Sequence, residues 1–425
     1  SRVGVGGPIL PLNRGQGPSG GGREPPQQPA PTARTFWQAN SETIMSSIHT
    51  AESVAAGHPD KVCDQISDRI LDRLLERDPQ ARVGVEAAVK TGLVVMLGEV
   101  TADARPDFTA WTRELLTEIG YDRDGLGFSG EGAGVVSAVE AQSPDIAQGV
   151  DRDGDIGAGD QGIMIGYACD DTDALMPAPQ HYSHRIMARQ AELLHTGEVS
   201  WLRPDGKCQL SVRYDGDRPV GLDKVVVSLQ HTPDADPARD PDTVVELLLR
   251  PVLPEGWLPE PDRILINPTG RFVIGGPKGD AGVTGRKIVQ DTYGPQRPHG
   301  GGCFSGKDPT KVDRSATYMA RYAAKNLVAA GLARRAEVRL AYAIGVSEPV
   351  MVAVETFGTG TADDDRLGAA LREVFDFTPR GCIDTLDLRR PVFTQTARFG
   401  HFGRDGADFT WERTDRTEAL RAALS

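Results

Sequence analysis

The sequence predicts a mixed α/β (α+β) protein built from three similar β-α-β-β-α-β units behind a disordered N-terminal extension. Segments of helical period and of strand period alternate along the chain, and their order recurs. With 425 residues, of which 39% are hydrophobic, the chain can bury the cores of several such units. Repeated supersecondary order implies related units whose sheets cover one another.

In the first unit, proline and glycine mark the element boundaries. Pro59 suits the first turn of a helix, and Thr91 with Gly92 suits a two-residue turn between strands. The predicted elements are a strand at 47–53, a helix at 60–76, strands at 83–89 and 93–100, a helix at 108–119 and a strand at 134–141.

The same order of elements recurs in the second unit and, around a long Gly-rich insertion, in the third. The second unit has a strand at 162–169, a helix at 181–195, a hairpin of 207–214 with 224–229, a helix at 243–249 and a strand at 263–266. The third has a strand at 271–274, a helix at 312–330, strands at 337–346 and 350–356 and a helix at 365–375. The chain therefore divides into an extension (1–44), an N-terminal unit (45–156), a central unit (157–270) and a C-terminal unit (271–425).

The N-terminal extension is predicted to lie outside the fold. Residues 1–31 are rich in Gly, Pro and Gln and have almost no periodic apolar content. Met45 is the first methionine, which favours upstream translated sequence or a leader. No apolar segment there fits a secretory signal peptide.

Composition excludes several classes of function. A net charge of −13 with no basic stripe argues against nucleic acid as a partner, and no apolar run is long enough to predict a membrane helix. The five cysteines are odd in number and form no C-x-x-C pair. This pattern predicts reduced thiols in a cytoplasmic enzyme, with neither disulfides nor a zinc site.

The segment 270–314 interleaves glycines and cations within this acidic chain. Its cations are Arg271, Lys278, Arg286, Lys287, Arg297, Lys307, Lys311 and Arg314. Glycine lets a backbone approach a ligand closely, and clustered Lys and Arg neutralise phosphate oxygens. The segment therefore predicts a polyphosphate site, where Asp280, Asp308 and Asp313 can share Mg²⁺ with the phosphates. The alternative is a flexible surface loop.

Part of this segment nearly matches a P-loop. Gly301, Gly306 and Lys307 have the G-x-x-x-x-G-K spacing, but Asp308 follows where Ser or Thr should hold Mg²⁺. Residues 295–300 are also not a hydrophobic strand. We therefore predict a phosphate-binding segment of another kind, and an ordinary P-loop phosphotransferase is the weaker alternative.

Two acids are predicted on one face of the first hairpin. If Thr91 and Gly92 form its turn, Glu86 faces Leu97 across the strands, and Glu86 and Glu99 project from the same side. Lys90 is on that side too, so a solvated Glu–Lys pair is one interpretation. The other is a site for a cation or for the ammonium group of a substrate.

The start of the first helix is a candidate anion site. Its free N–H groups favour anions, and His58 and Lys61 add donors. Asp60 either caps this helix or reaches a metal bound to the anion. Asp160, in the Gly-rich stretch 157–162, belongs either to a tight turn or to a ligand site. No nucleophile–base arrangement stands out, so covalent nucleophilic catalysis has no support.

A set of motifs together resembles S-adenosylmethionine synthetases, also called methionine adenosyltransferases. The motifs are GHPDK (57–61), VEAAVKTG (85–92), AQSPDIAQGVD (141–151), GAGDQG (157–162), INPTGRFVIGGPKGD (266–280), GRK (285–287) and GGGCFSGKDPTKVDRSA (300–316). The resemblance runs from residue 48 onward in the family's order and implies three units related by a pseudo-threefold axis.

The resemblance also implies a reaction. The sulfur of methionine attacks C5′ of ATP and displaces the whole triphosphate, which is then hydrolysed to phosphate and diphosphate. Two Mg²⁺ and one K⁺ per site are implied, as is a homodimer or homotetramer with sites at the dimer interface. A binding or regulatory paralogue without turnover is an alternative, although the cationic and metal positions are present here.

Site residues carried over by the resemblance fall into four groups. The catalytic residues are His58, Lys207, Arg286 and Lys307, and ATP is bound by these and by Asp205, Arg271, Phe272, Asp280, Lys287 and Cys303. Methionine is bound by Glu99, Gln142, Asp160, Asp280 and Lys311, and the metal ligands are Asp60 and Asp313 for Mg²⁺ and Glu86 for K⁺. Residues 142–150 resemble a mobile loop that covers the site. Cys303 departs from the family pattern, in which alanine is common.

Overall fold

A computed structural model of the chain describes residues 46–123, 125–141, 151–152 and 155–425. The predicted extension 1–44 and the predicted covering loop 142–150 lie outside these residues. None of the helices in the described ranges is long and apolar enough to cross a membrane.

The strands follow the predicted order along the chain, except that 271–274 is not a strand and the short strands Asp151–Arg152, Asp155–Ile156 and Gly282–Val283 were not predicted. They are β1 (Ser47–Val54), β2 (Arg82–Lys90), β3 (Leu93–Thr101), β4 (Gly134–Glu140), β5 (Asp151–Arg152), β6 (Asp155–Ile156), β7 (Gly162–Cys169), β8 (Leu202–Asp215), β9 (Arg218–His231), β10 (Ile264–Ile266), β11 (Gly282–Val283), β12 (Arg335–Tyr342) and β13 (Met351–Glu355).

The helices alternate with these strands and end the chain. They are α1 (Pro59–Leu75), α2 (Phe108–Ile119), α3 (Ala178–Thr196), α4 (Pro241–Val244), α5 (Gly276–Gly279), α6 (Ile288–Asp291), α7 (Val312–Ala329), α8 (Asp364–Val374), α9 (Pro379–Leu386) and α10 (Thr417–Ala423). A π-helical turn, Val245–Leu249, continues α4, and short 3₁₀ turns occur at Pro261–Arg263, Gly294–Gln296 and Thr410–Glu412.

Three larger sheets share one strand pattern, and β5 and β6 form a small separate pair. The sheets have the orders β1-β8-β9-β10, β11-β2-β3-β4 and β7-β12-β13. In each sheet the first two pairings are antiparallel, and in the two four-stranded sheets the last pairing is parallel. The common pattern confirms the prediction of three similar mixed α/β units.

The first strand of each repeat belongs to the sheet of another repeat. Strand β1 of the first repeat pairs with β8 of the second, and β7 of the second pairs with β12 of the third. Strand β11 of the third repeat returns to pair with β2 of the first. The exchange is therefore cyclic, and each sheet is completed by a strand from a different part of the chain.

One predicted strand is wrong, and the hydrogen bonds of its residues explain why. Residues 271–274 form no strand, because the Phe272 N–H donates to the ring of His231 at 2.9 Å, a side-chain acceptor rather than a strand partner. The third repeat begins instead with β11. There a Cβ on Gly282 would lie 2.1 Å from the Pro59 carbonyl oxygen, so only glycine lets this strand pass so close to α1.

Helix α7 lies in the middle of the fold and brings the segment before it into the site. It packs on β7 and β12 on one side and against α9 and α10 on the other. Gly166 of β7 allows this helix to approach closely, because a Cβ on Gly166 would lie 2.0 Å from the carbonyl carbon of Ala320. All five cysteines are free, as their spacing predicted.

Candidate functional site

His58 caps helix α1 and is held as a neutral ring. Its Nδ1 accepts a hydrogen bond from the Asp60 N–H at 3.2 Å, so Asp60 is not the cap. Because Nδ1 is an acceptor, the ring proton of the neutral form is on Nε2. Burial, followed by the positive charges of Lys287 and Lys207, lowers the pKa of His58 to about 3. The site therefore contains an uncharged hydrogen-bond donor among cations.

Asp60 interacts with both cations of the GRK motif, Arg286 and Lys287. Its carboxylate forms an ion pair with the Lys287 ammonium, and Arg286 Nε lies 3.6 Å from Asp60 Oδ1. The N–H of Val283 donates to the same carboxylate at 3.1 Å. Burial opposes ionisation of Asp60, but the hydrogen bonds from Lys287 and Val283 outweigh it and lower the pKa of this carboxyl. Asp60 is thus a buried anion at the centre of a cationic group.

Strand β8 carries two predicted ATP-binding residues beside this group. Lys207 is exposed, and its positive charge favours a lower pKa of both His58 and Asp205. Asp205 is buried and accepts the N–H groups of Gly206 and Gly276, each at 2.8 Å. Burial raises the pKa of Asp205 to about 6. The negative charge of the exposed Asp280 favours a higher pKa of the same two groups. The side chains of His58, Asp205, Lys207 and Asp280 therefore lie in one region.

The near P-loop is fixed to strand β2 through Asp308. Asp308 is fully buried, accepts the N–H of Val83 at 2.7 Å and donates its own N–H to the Val83 carbonyl at 3.1 Å. It also forms an ion pair with Lys311. The residues before Gly301 form a 3₁₀ turn and no strand, as predicted, so the strand–loop–helix arrangement of a P-loop is absent from this segment.

Asp313, like Asp60, is a predicted metal ligand that forms an ion pair with a lysine, in this case Lys307. Lys307 Nζ lies 2.6 Å from Asp313 Oδ2, and the Gly302 N–H donates to Asp313 Oδ1 at 3.3 Å. Both side chains are partly exposed. Asp60 and Asp313, the two predicted Mg²⁺ ligands, are thus each held by a lysine from the Gly-rich segment.

Glu86 and Glu99 share a cavity of about 400 Å³ with Lys307 and Lys311. The predicted register is confirmed, since Glu86 pairs with Leu97 and Gly84 with Glu99. Lys90 Nζ donates to the Lys278 carbonyl at 3.3 Å, and both Glu86 and Lys90 are exposed, so the interpretation as a solvated Glu86–Lys90 pair stays open. Two carboxylates and two ammonium groups therefore line one cavity.

Cys303 connects the two groups of charges. A Cβ on Gly285 would lie 2.7 Å from Cβ of Cys303, so Cys303 lies against the GRK segment. On its other side, the charges of Lys307 and Asp313 influence the pKa of the Cys303 thiol in opposite directions. Burial raises the pKa of Cys303, so the thiol is neutral. The cations beside His58 and the cavity beside Glu86 are therefore neighbouring parts of one surface.

Three of the remaining predicted residues are described by the structure, and the fourth lies outside the described ranges. Arg271 and Asp160 are exposed, and Asp160 accepts the N–H of Gln161 at 2.7 Å. Phe272 is half-buried, with its carbonyl bonded to the N–H of His231 at 3.0 Å. Gln142 lies outside the residues that the structure describes.

Lys61 does not contribute to an anion site at the start of α1. It is fully buried, with Nζ 2.6 Å from Asp291 and 3.0 Å from Asp64. These two carboxylates raise the pKa of Lys61 despite its burial, so it is a buried structural cation. The expectation that Lys61 faces an anion is wrong.

Helix α1 also carries a row of four aspartates, of which the motif analysis singled out only Asp60. Asp60, Asp64, Asp68 and Asp72 recur every four residues, all are buried, and each accepts at least one backbone N–H from a segment remote in sequence. The signal was present in the sequence as an i, i+4 repeat of Asp. On a charged helix this repeat is ordinarily a solvated face, so only the burial reveals its role.

Family comparison gives three consecutive matches that together span most of the chain. The N-terminal domain model of S-adenosylmethionine synthetase matches residues 46–144, the central domain model matches 155–272, and the C-terminal domain model matches 274–413.

Proposed function

The chain belongs to the S-adenosylmethionine synthetase family, and from this premise we propose how the residues of its site carry out the reaction. The protein is a methionine adenosyltransferase that makes S-adenosylmethionine from ATP and methionine. The proposal concerns the residues, the order of bond changes and the ions.

The observation that carries the mechanism is the concentration of fixed cations around His58. Lys207, Arg286 and Lys287 surround the capped end of α1, and Lys307 lies in the adjoining part of the surface. In a chain of net charge −13, such a group suits the triphosphate of ATP. Negative charge builds on the triphosphate as it leaves C5′, so cations already in place stabilise the transition state.

His58 donates a hydrogen bond to the departing oxygen in this mechanism. The methionine sulfur is neutral and already nucleophilic, so its lone pair forms the S–C5′ bond without a base. The electron pair of the C5′–O bond goes to the triphosphate, and the sulfur becomes a sulfonium. No proton is transferred in this step, which agrees with a histidine whose Nε2–H donates and whose ring stays neutral.

Methionine binds in the cavity beside the triphosphate. The Glu99 carboxylate suits the ammonium group of the amino acid, and the Lys311 ammonium suits its carboxylate. Gln142, Asp160 and Asp280 complete the methionine site, while Arg271, Phe272, Asp205 and Cys303 contact the nucleotide. Glu86, on the same wall of the cavity, is the proposed K⁺ ligand.

Asp60 and Asp313 fit Mg²⁺ that arrives with the nucleotide. Among the described residues, no three His, Cys, Asp or Glu side chains converge to hold a metal alone. Each aspartate is a single carboxylate beside a lysine, and Mg²⁺ commonly combines one or two carboxylates with phosphate oxygens and water. Bound there, two Mg²⁺ would neutralise triphosphate charge during both displacement and hydrolysis.

A homo-oligomer, either dimer or tetramer, is supported by apolar side chains left exposed on the sheets. Leu97 of β3, Val136 of β4 and Ile163 of β7 are each about half exposed. Leu97 also lines the methionine cavity, so a second subunit covering this face would close the site. We place the enzyme in the cytoplasm, where its free thiols stay reduced.

Product analysis tests this mechanism. With ATP, methionine, Mg²⁺ and K⁺, mass spectrometry should find S-adenosylmethionine, phosphate and diphosphate in equal amounts and no ADP. Lys307→Ala should slow product formation by roughly 10²-fold, the usual effect of removing one group that stabilises developing charge. ADP as the main product would contradict the mechanism and favour a phosphotransferase.

A further inference from the structure

The aspartate row of helix α1 connects three distant segments to one rigid element. Asp64 accepts the Gly285 N–H at 2.8 Å, Asp68 accepts the Gly306 N–H at 2.8 Å, and Asp72 accepts the Phe393 N–H at 2.8 Å. Residues four apart lie on one helix face with a rise of about 6 Å between them. The helix thus spaces the backbones of these segments at regular intervals.

We propose that Asp64 and Asp68 are positioning residues that set the distance between the cations binding the triphosphate. Asp64 fixes the segment of Arg286 and Lys287, and Asp68 fixes the turn of Lys307. Neither aspartate contacts the substrate in this proposal. The inference rests on the proposed triphosphate site and concerns how that site is held together.

Asp64 and Lys61 hold the first cationic segment at both ends. Asp64 receives the N–H of Gly285, the residue directly before Arg286. Lys61 links Asp64, at 3.0 Å, to Asp291, at 2.6 Å, and all three side chains are buried. The backbone from Gly285 to Asp291 is therefore anchored to α1 on either side of Arg286 and Lys287.

Asp68 and Arg314 hold the second cationic segment in the same way. Arg314 donates two hydrogen bonds to Asp68, at 2.7 and 2.8 Å, and both side chains are completely buried. Asp68 also binds the Gly306 N–H, and Arg314 donates to the Lys307 carbonyl at 3.1 Å. The Ser305–Gly306 and Lys307–Asp308 peptide groups, which enclose this turn, are thus both bonded to one buried ion pair.

These segments need such anchors because their glycines offer few side-chain contacts. Gly306 has a φ of 81°, and a Cβ there would lie 1.9 Å from the Val85 carbonyl oxygen, so the close turn requires glycine. A glycine-rich backbone is intrinsically free, and charge-assisted hydrogen bonds to buried carboxylates are strong restraints on it. Small displacements of catalytic groups are costly in rate.

The test compares Asp64→Ala with a matched control, Asp72→Ala, on the same face of the same helix. Asp72 binds the N–H groups of Phe393 and Thr394 and the Thr394 hydroxyl, none of which belongs to the site. Imidotriphosphate, whose N–H bridges resist the hydrolysis proposed for triphosphate itself, is the probe, and its affinity is measured by titration calorimetry on the full chain with Mg²⁺. KM values for ATP and methionine and the melting temperature are measured alongside.

Asp64→Ala should weaken triphosphate binding and raise KM for ATP by roughly tenfold or more, with KM for methionine unchanged. Asp72→Ala should lower the melting temperature at least as much but leave triphosphate affinity as it is. Asp64→Asn, which keeps an acceptor for Gly285, should recover part of the lost affinity. In Asp64→Ala, Lys61 keeps its contact with Asp291, so the variant is expected to fold.

Equal triphosphate affinity in the two alanine variants would overturn the positioning role. So would a loss of affinity that is proportional to the drop in melting temperature in every variant. The double variant Asp68→Leu/Arg314→Met removes the buried pair without leaving an unpaired charge, and it should also lose triphosphate affinity. Failure of the proposed function would appear in the unsubstituted enzyme instead, as no S-adenosylmethionine or no triphosphate binding.

Discussion

Replacing His58 with Asn removes the imidazole Nε2–H while keeping the cap of helix α1. Asn accepts a backbone N–H at this position as well as any residue, so the contact with the Asp60 N–H is retained. What is lost is the longer reach of the imidazole and its Nε2–H. The variant should therefore fold normally and make S-adenosylmethionine about 10²-fold more slowly.

The pH dependence of this loss follows from the pKa of about 3 that burial, Lys287 and Lys207 impose on His58. At pH 5.5 such a ring is almost entirely neutral, whereas a ring with the ordinary pKa of 6.5 would be about 90% protonated. The neutral donor is therefore present throughout pH 5.5–8.5. The ratio of kcat/KM for ATP between the parent enzyme and the variant should be constant over that range.

The assay is initial-rate measurement of S-adenosylmethionine at subsaturating ATP, since kcat/KM reports the free enzyme. Dividing by the variant's rate cancels every other titrating group, provided both proteins keep the same melting temperature. A ratio that changes between pH 8.5 and 5.5 with a midpoint near pH 6.5 would show that His58 titrates at its ordinary pKa and would refute this reasoning.

Three further outcomes are expected. Burial lowers the pKa of His184 to about 3, and a lowered histidine pKa contributes stability that is present above pH 6.5 and lost on acidification. Between pH 8 and pH 5 the unfolding free energy of the parent, measured by urea titration, should therefore fall by about 2 kcal/mol more than that of His184→Gln. Equal losses in the two proteins would refute this. Glu86→Gln should abolish activation by K⁺ and leave the K⁺-free rate nearly intact; retained activation would contradict the assignment of Glu86. Glu99→Gln should raise KM for methionine by roughly tenfold or more without changing KM for ATP, because a charge-assisted hydrogen bond is lost; a matching rise for ATP would contradict that role.

The order of elements and one strand register followed from local sequence. Thr91 and Gly92 fix a two-residue turn, so the pairing of Glu86 with Leu97 follows by counting. The cyclic exchange of first strands did not follow, because periodicity identifies a strand but not its partner. Strand β11 shows this most plainly: Gly282 and Val283 are too few to show any alternation.

Motifs named most residues of the proposed site, but they did not show which charges are structural. Lys61 belongs to the GHPDK motif beside His58, yet it points into the core toward Asp64 and Asp291. Asp308 is part of the near P-loop, yet it anchors strand β2. In sequence, a lysine that binds phosphate and a lysine in a buried ion pair look the same. Only tertiary burial separates them.

The central claim is that the whole triphosphate leaves C5′ before any phosphoanhydride bond is cleaved. A single-turnover, acid-quenched reaction tests it, using ATP labelled with ¹⁸O at the oxygen between C5′ and the α-phosphorus. Labelled inorganic triphosphate should appear in step with S-adenosylmethionine and then decay to diphosphate and phosphate, with the label kept in these inorganic products. Phosphate appearing before S-adenosylmethionine, or label retained in ADP, would contradict the account.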